Sequence, residues 1–179
     1  MAFDLGQTIA LLSRTPAVLD VMLRDLPDVW TMRNEGANTW TAYDVVGHLI
    51  HGEHTDWIPR AKMILREGDA KPFPPFDRQA QFRDSQGKSL ARLVDEFTAA
   101  RKESLDELQA LRLQPEDFAR RGMHPALGSV TLRQLLATWV VHDMTHIHQI
   151  SRIMAHQYGP EVGPWSAYLG VLHCTGHSG

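Results

Sequence analysis

The clearest pattern in the chain lies between Thr131 and Gln157, TLRQLLATWVVHDMTHIHQISRIMAHQ. Leu132, Leu135, Trp139, His142, His146, Gln149 and Ile153 follow one another at alternating spacings of three and four, the seam a helix buries against its neighbours. Thr131 and Gln134 form a capping box at its start, and Gly159-Pro160 stops it. Two seam positions hold histidine where leucine is expected. At i and i+4 the two rings are rotated by roughly 40° and separated by about one turn, so both reach one point in space.

Three further stripes accompany this one. Asp4 caps a helix carrying Leu5, Ile9 and Leu12. Thr15-Pro16 reads as an N-cap followed by proline at the first helical position, so the helix restarts there and runs through Leu19, Leu23 and Leu26 to Pro27. A loop, DVWTMRNEGANTW, follows. Thr41 and Asp44 open the second helix, with Trp40 before them as a hydrophobic staple. Val45, Val46, Leu49 and Ile50 carry its apolar face and His48 lies among them; Gly52, one turn later, leaves space beside a ligand. Pro59 predicts a kink before the helix resumes through Met63-Ile64-Leu65 to Gly68. Ser89 caps the third helix, whose buried stripe is Leu90, Leu93, Phe97, Ala100, Ser104, Leu108 and Leu111. Arg92, Asp95, Glu96, Lys102, Glu103, Asp106 and Glu107 face water.

The long second connection, Gly68 to Lys88, centres on KPFPPFD, and its prolines and phenylalanines favour an extended, ordered loop. Its Lys71–Asp77 portion is a lid candidate for a cavity. A third connection runs from Pro115 through Gly128. Pro164 to Leu172 forms a short final helix, and the tail HCTGHSG frays. No strand and no internal repeat are predicted. The closure of four such stripes is an all-α four-helix bundle, a single domain over residues 1–179.

Composition narrows the function classes. The 179 residues carry a net charge of -3, without the basic surplus of a nucleic-acid binder. No apolar run approaches the roughly 18 to 20 residues of a membrane span, and the N-terminus lacks a secretory signal pattern. A single cysteine, Cys174, excludes an internal disulfide framework and fits a reducing compartment. The expectation is a cytoplasmic protein that engages neither nucleic acid nor membrane.

The chemistry therefore rests on histidine. An unpaired polar group on a buried seam costs roughly 1–3 kcal/mol, and His48 repeats the arrangement on another helix. Three imidazoles without carboxylate or thiolate suit zinc or nickel and leave open positions for water or substrate. His51, one turn from His48, is the alternative or extra ligand, with plain surface exposure as its other reading. His148 points about 200° away from His146 and cannot join the site. His54, His124 and His156 read as solvated or loop residues, and His173, Cys174 and His177 as part of a mobile tail, with a weak terminal metal site as their other reading. HDMTH resembles the peptidase pattern H-E-x-x-H, but the shorter Asp143 and the lack of a downstream ligand disfavour it; Asp143 reads as a hydrogen bond or salt bridge that steadies the helix behind the histidines. Trp57 and Trp139 are plain core or the walls of an apolar pocket, and Thr55 and Gln149 are placed to orient a bound water.

Trp40 to Glu53, WTAYDVVGHLIHGE, and Thr131 to Ala155, TLRQLLATWVVHDMTHIHQISRIMA, together resemble the DinB-like (YfiT-type) superfamily of metal-binding four-helix bundles. The resemblance covers nearly the whole chain, including the order and spacing of the three histidines. It implies an up-down-down-up bundle, a homodimer, and zinc or nickel held by His48, His142 and His146. It also implies a small-molecule substrate and a transferase or isomerase reaction that uses a low-molecular-weight thiol. A hydrolase using metal-bound water is the alternative, and a non-catalytic, stress-related metal-binding bundle is the third reading.

Overall fold

The computed structural model describes residues 2–174. Helix α1, Leu5–Leu12, is capped by Asp4, whose carboxylate accepts the Gln7 N–H at 2.7 Å. Helix α2 spans Thr15–Leu23. Thr15 does not cap it, contrary to expectation: Arg14 holds the cap position, Pro16 lies in the first turn, and the Thr15 hydroxyl donates to Asp143 Oδ2 at 2.6 Å. The helix stops before Pro27 because Asp25 turns the chain at φ 62°. A one-turn helix, α3 (Asp28–Thr31), interrupts the predicted loop.

The second bundle helix is two segments, α4 (Ala42–Thr55) and α5 (Trp57–Glu67). Thr41 and Asp44 cap α4 reciprocally, as their spacing predicts. The kink expected at Pro59 is instead a break at Asp56 (φ −103°, ψ −68°). Pro59 then sits in the first turn of α5, where a missing N–H costs nothing. The second connection contains a short helix, α6 (Ala80–Asp84), and leads to α7 (Leu90–Ala110), capped by Ser89. A 3-10 turn over Pro115–Ala119 precedes two strands, β1 (Arg121–His124) and β2 (Gly128–Thr131), paired antiparallel with Arg121 opposite Thr131.

These strands correct the expectation of an irregular third connection without strands. Each is four residues long with little alternation to read, and β1 is held from outside, since Phe73 donates its N–H to the Met123 carbonyl at 2.8 Å. Helix α8 follows as Leu132–Gln157, capped by Thr131 and Gln134. The expected short final helix is two 3-10 stretches, Gly159–Tyr168 and Gly170–Leu172, because Gly163 and Pro164 interrupt regular helix. The four bundle helices are thus α1–α2, α4–α5, α7 and α8. No helix among the described residues is long and apolar enough to cross a membrane.

The bundle interior has two apolar halves. One gathers Leu12, Trp57, Ile64, Leu105, Leu108, Leu132 and Trp139; the other gathers Leu19, Val45, Leu49, Leu93, Phe97, Ile150 and Ile153. On every bundle helix a polar residue falls between them: Thr15, Glu53, Arg101 and Asp143. Arg101 is 1% exposed. Its guanidinium donates to Asp143 Oδ2 and Oδ1 at 2.5 and 2.9 Å, to Glu53 Oε1 at 2.8 Å, and to the Leu12 carbonyl at 2.9 Å. Trp139 Nε1 adds a bond to Glu53 Oε1 at 3.1 Å. Burial alone would lower the Arg101 pKa, but the hydrogen bond to Asp143 and the charge of Glu53 hold it above its ordinary value.

Removing one partner of such a buried set leaves an uncompensated charge, which costs about 3–5 kcal/mol. Arg101→Met is therefore expected to destabilise the fold by that amount in urea denaturation. A loss of less than about 1 kcal/mol would show that the two carboxylates do not depend on Arg101.

Candidate metal centre

Helix α4 supplies His48 and α8 supplies His142 and His146. His48 Nε2 lies 3.1 Å from His142 Nε2, and His146 Nε2 also lies 3.1 Å from His142 Nε2. One nitrogen from each ring falls within 4.8 Å of the others, a cluster that can hold a metal ion, and no fourth His, Cys, Asp or Glu joins it among the described residues.

The outer ring atoms are fixed by amides. His48 Nδ1 meets Gln81 Oε1 at 3.2 Å, and His146 Nδ1 meets Gln149 Oε1 at 2.7 Å. An amide oxygen only accepts, so both Nδ1 atoms carry the proton and both Nε2 atoms present bare lone pairs. His142 Nε2 has at most one proton to offer them, and its Nδ1 is buried without a partner. Three nitrogens thus converge with fewer protons than they need. A Lewis acid satisfies them together. Imidazole nitrogens at 2.0–2.1 Å from a tetrahedral ion lie roughly 3.3 Å apart, close to the spacing seen.

Gln81 reaches His48 because α6 packs on α4 at Gly47. A Cβ at Gly47 would collide with Ser85 Oγ and touch Gln81 Cβ at 3.5 Å.

The electrostatics keep the rings neutral. Burial, then the charge His146 would carry, lowers His48 to about 3. The same two causes, with His48 in addition, lower His142 to about 2. His146 is lowered by burial, partly offset by the Gln149 hydrogen bond. Neutral imidazole is the form that binds metal.

The cluster opens into a cleft of about 550 Å³. Trp40 and Phe76 form aromatic walls, their ring centroids 4.9 and 5.2 Å from that of His48. Pro75, Phe76 and Arg78 bring the KPFPPF loop to the cleft, and His124 and Pro125 bring the hairpin. Asp56 and Arg60 also line it and pair at 2.7 Å. Burial raises Asp56 to about 6 against the opposing charge of Arg60.

The other residues singled out from the sequence fall as follows. Gln149 orients the His146 ring rather than a water, and Asp143 makes the expected salt bridge, to Arg101. That buried pairing removes Asp143 from the peptidase role. Trp57 packs edge-on against His142 at 5.0 Å and stacks on Trp139, but neither tryptophan lines the cleft. Their place as walls is taken by Trp40, read from the sequence only as a staple.

His51 lies outside the cluster, its ring against Phe76 at 4.8 Å, and it lines a different hollow with His54. Thr55 is exposed, and its hydroxyl donates to the His51 carbonyl at 2.8 Å. Gly52 faces Trp57 Nε1 instead of open space. His124 is a cleft residue that composition gave no reason to select. His173 bonds the Ser166 carbonyl at 2.8 Å and Cys174 the Gly170 carbonyl at 3.1 Å, while His177 lies outside the described residues.

A solved structure of YfiT from Bacillus subtilis shares this fold with a TM-score of 0.71 and 23% identity, over 88% of this chain and 87% of that one. That protein is described as a probable metal-dependent hydrolase with an unusual four-helix bundle topology. No curated protein matches the chain. The family model of the DinB superfamily matches residues 11–150, which include all three histidines and the buried arginine layer. The chain belongs to the DinB superfamily.

Proposed function

We propose that this protein is a divalent-metal-dependent enzyme acting on a small molecule, with His48, His142 and His146 as the metal ligands and hydrolysis as its reaction. The observation that carries the reading is the convergence of three imidazole nitrogens at a cleft, with no fourth protein ligand among the described residues. A bound divalent ion supplies Lewis acidity, polarising a carbonyl and making a bound water or thiol more acidic. The chain's own groups do the rest. Gln81 and Gln149 hold the tautomers of His48 and His146, Trp40 and Phe76 exclude water from the approach, and Asp56 offers a carboxyl able to exchange a proton near neutral pH. Cys174, the single cysteine, is not among the cleft residues, so the protein provides no thiol nucleophile of its own.

YfiT's description supports hydrolysis. The size of the cleft favours a second reading: about 550 Å³ is within the range of ligand pockets and leaves room for a low-molecular-weight thiol beside its acceptor. A thiol-dependent transferase or isomerase would use the same three histidines, with zinc or nickel as the fitting ions.

Elemental analysis of protein purified without added metal is expected to give about one equivalent of zinc or nickel. His146→Ala should remove it, and full retention of metal after dialysis would refute the ligand set. Turnover of 4-nitrophenyl acetate without thiol, lost in His146→Ala, would support hydrolysis; turnover of an aryl halide only with added thiol would support transfer.

The depressed histidine pKa values also set a pH dependence in the metal-free protein. Unfolded histidines take up protons near pH 6.5, whereas the folded rings resist protonation down to about 3 for His48. The unfolded state therefore binds more protons below pH 6.5, and stability falls as pH falls. Asp56 acts oppositely, being one group whose folded pKa is raised to about 6. The net expectation is a loss of roughly 2 kcal/mol or more in unfolding free energy from pH 7 to pH 5. An unchanged denaturation midpoint would contradict buried, neutral rings.

A further inference from the structure

The charges lining the cleft are unevenly engaged. Arg60 is 7% exposed, is paired with Asp56 at 2.7 Å, and lies over the Phe73 ring at 5.3 Å. Its charge is matched and its position fixed. Asp56 is the only carboxylate among the lining residues, and it is taken by this pair. Arg78 differs. It is exposed, lines the cleft from the KPFPPF loop, and makes no ion pair or hydrogen bond among the described residues. The acid next to it in sequence, Asp77, is engaged by Arg83 at 2.6 Å and by the Gln79 N–H at 2.9 Å.

Arg78 lines the same cleft as His48, His142 and His146. The cleft thus keeps one uncommitted guanidinium beside three imidazoles, and any divalent ion held there adds charge of the same sign. A low-dielectric cleft lined by one sign of charge concentrates ligands of the other. A guanidinium also pairs with carboxylate or phosphate in a planar, two-point geometry. The walls define the remainder of the ligand. Trp40 lies nearly parallel to His146, at an interplanar angle of 16° with centroids 6.2 Å apart, and Phe76 presents its edge to His48 at 5.2 Å. Pro75 and Pro125 continue the apolar lining.

We propose that the cleft selects small organic anions: Arg78 pairs with the acid group of the substrate, its apolar body lies between Trp40 and Phe76, and its reactive end sits at the three histidines. This deepens the metal-enzyme reading and rests on it for the reactive end alone. Recognition of the acid group is a property of Arg78. A neutral substrate of the same shape would leave the guanidinium solvated and unused, so discrimination appears as a difference between charged and uncharged ligands of equal size.

Two probes of one shape separate the claims: 4-carboxybenzohydroxamate and its uncharged twin, 4-carbamoylbenzohydroxamate. Calorimetric titration into zinc-loaded wild-type protein is expected to give about five- to tenfold tighter binding of the carboxylate, narrowing as salt is raised. Arg78→Gln should abolish the preference while leaving the uncharged twin's affinity nearly unchanged, and Arg78→Lys should restore part of it. Equal affinities in wild type, a preference that survives Arg78→Gln, or no binding of either probe would overturn the proposal. The uncharged twin with and without zinc tests the metal reading separately. If zinc does not affect it, that reading fails, and the ratio between the twins on metal-free protein still decides the role of Arg78.

Discussion

The buried guanidinium of Arg101 is the constraint on which the rest of this bundle depends. A cation 1% exposed cannot be left to water, and it is answered by two carboxylates from two other helices and by a backbone carbonyl of a third. These bonds are directional, whereas the apolar contacts above and below them are not. Leucine and valine seams tolerate small rotations and slips; a guanidinium bonded to both oxygens of Asp143 does not. The layer therefore fixes the rotation and height of α8 relative to α4 and α7. His142 and His146 flank Asp143 on the same helix, so setting Asp143 toward the bundle axis sets the direction in which the two rings leave it.

The histidine cluster reverses the logic of the arginine layer. Around Arg101, charge is buried and paired with two carboxylates, although Arg101 Nε and Glu53 Oε2 have no hydrogen-bond partner. Around His48, His142 and His146, charge is excluded, and the polar atoms are left one step short of satisfaction. Gln81 and Gln149 use their oxygens to hold protons on the outer nitrogens, and their amide nitrogens are themselves buried without partners. A purely structural core would gain by replacing such groups with leucine, since each unanswered polar atom costs roughly 1–3 kcal/mol. Three such atoms, Gln81 Nε2, Gln149 Nε2 and His142 Nδ1, gather around the histidine cluster.

Much of this architecture is legible in the sequence, and what is not has definable causes. The seam of α8, both capping boxes, the Ser89 cap and the pairing of His142 with His146 follow from helical spacing, because each is set by residues within two turns of one another; His48 joins them from another helix. Arg101 could have been found by the same reasoning that found the histidines. It lies four residues from both Phe97 and Leu105, on the buried side of α7, where a charge needs a partner. Glu53 occupies the same kind of position between Leu49 and Trp57. The break at Asp56 was displaced onto Pro59 because proline marks a permitted helix start as readily as a kink. Gln81, Trp40 and His124 were beyond reach for a different reason. They lie in or beside short elements and connections whose course depends on tertiary packing, and no periodicity records that Gly47 allows α6 to press against α4.

The KPFPPF loop shows how those two levels combine. Its two phenylalanines, three residues apart, have opposite duties. Phe73 is 2% exposed, enters the core beside Ile64, and donates its backbone N–H to Met123. Gly122 permits this approach, since a Cβ there would stand 2.7 Å from the Phe73 ring. Phe76 then turns to the cleft and meets His48 and His51 in T-shaped contacts. A segment tied to the core by one aromatic side chain and one strand-like hydrogen bond, with prolines restricting the residues between, has little freedom to swing as a unit. It is a wall of the cleft rather than a lid over it. Phe76 and Arg78 line the cleft from this segment, and its backbone is bonded to the hairpin at Met123.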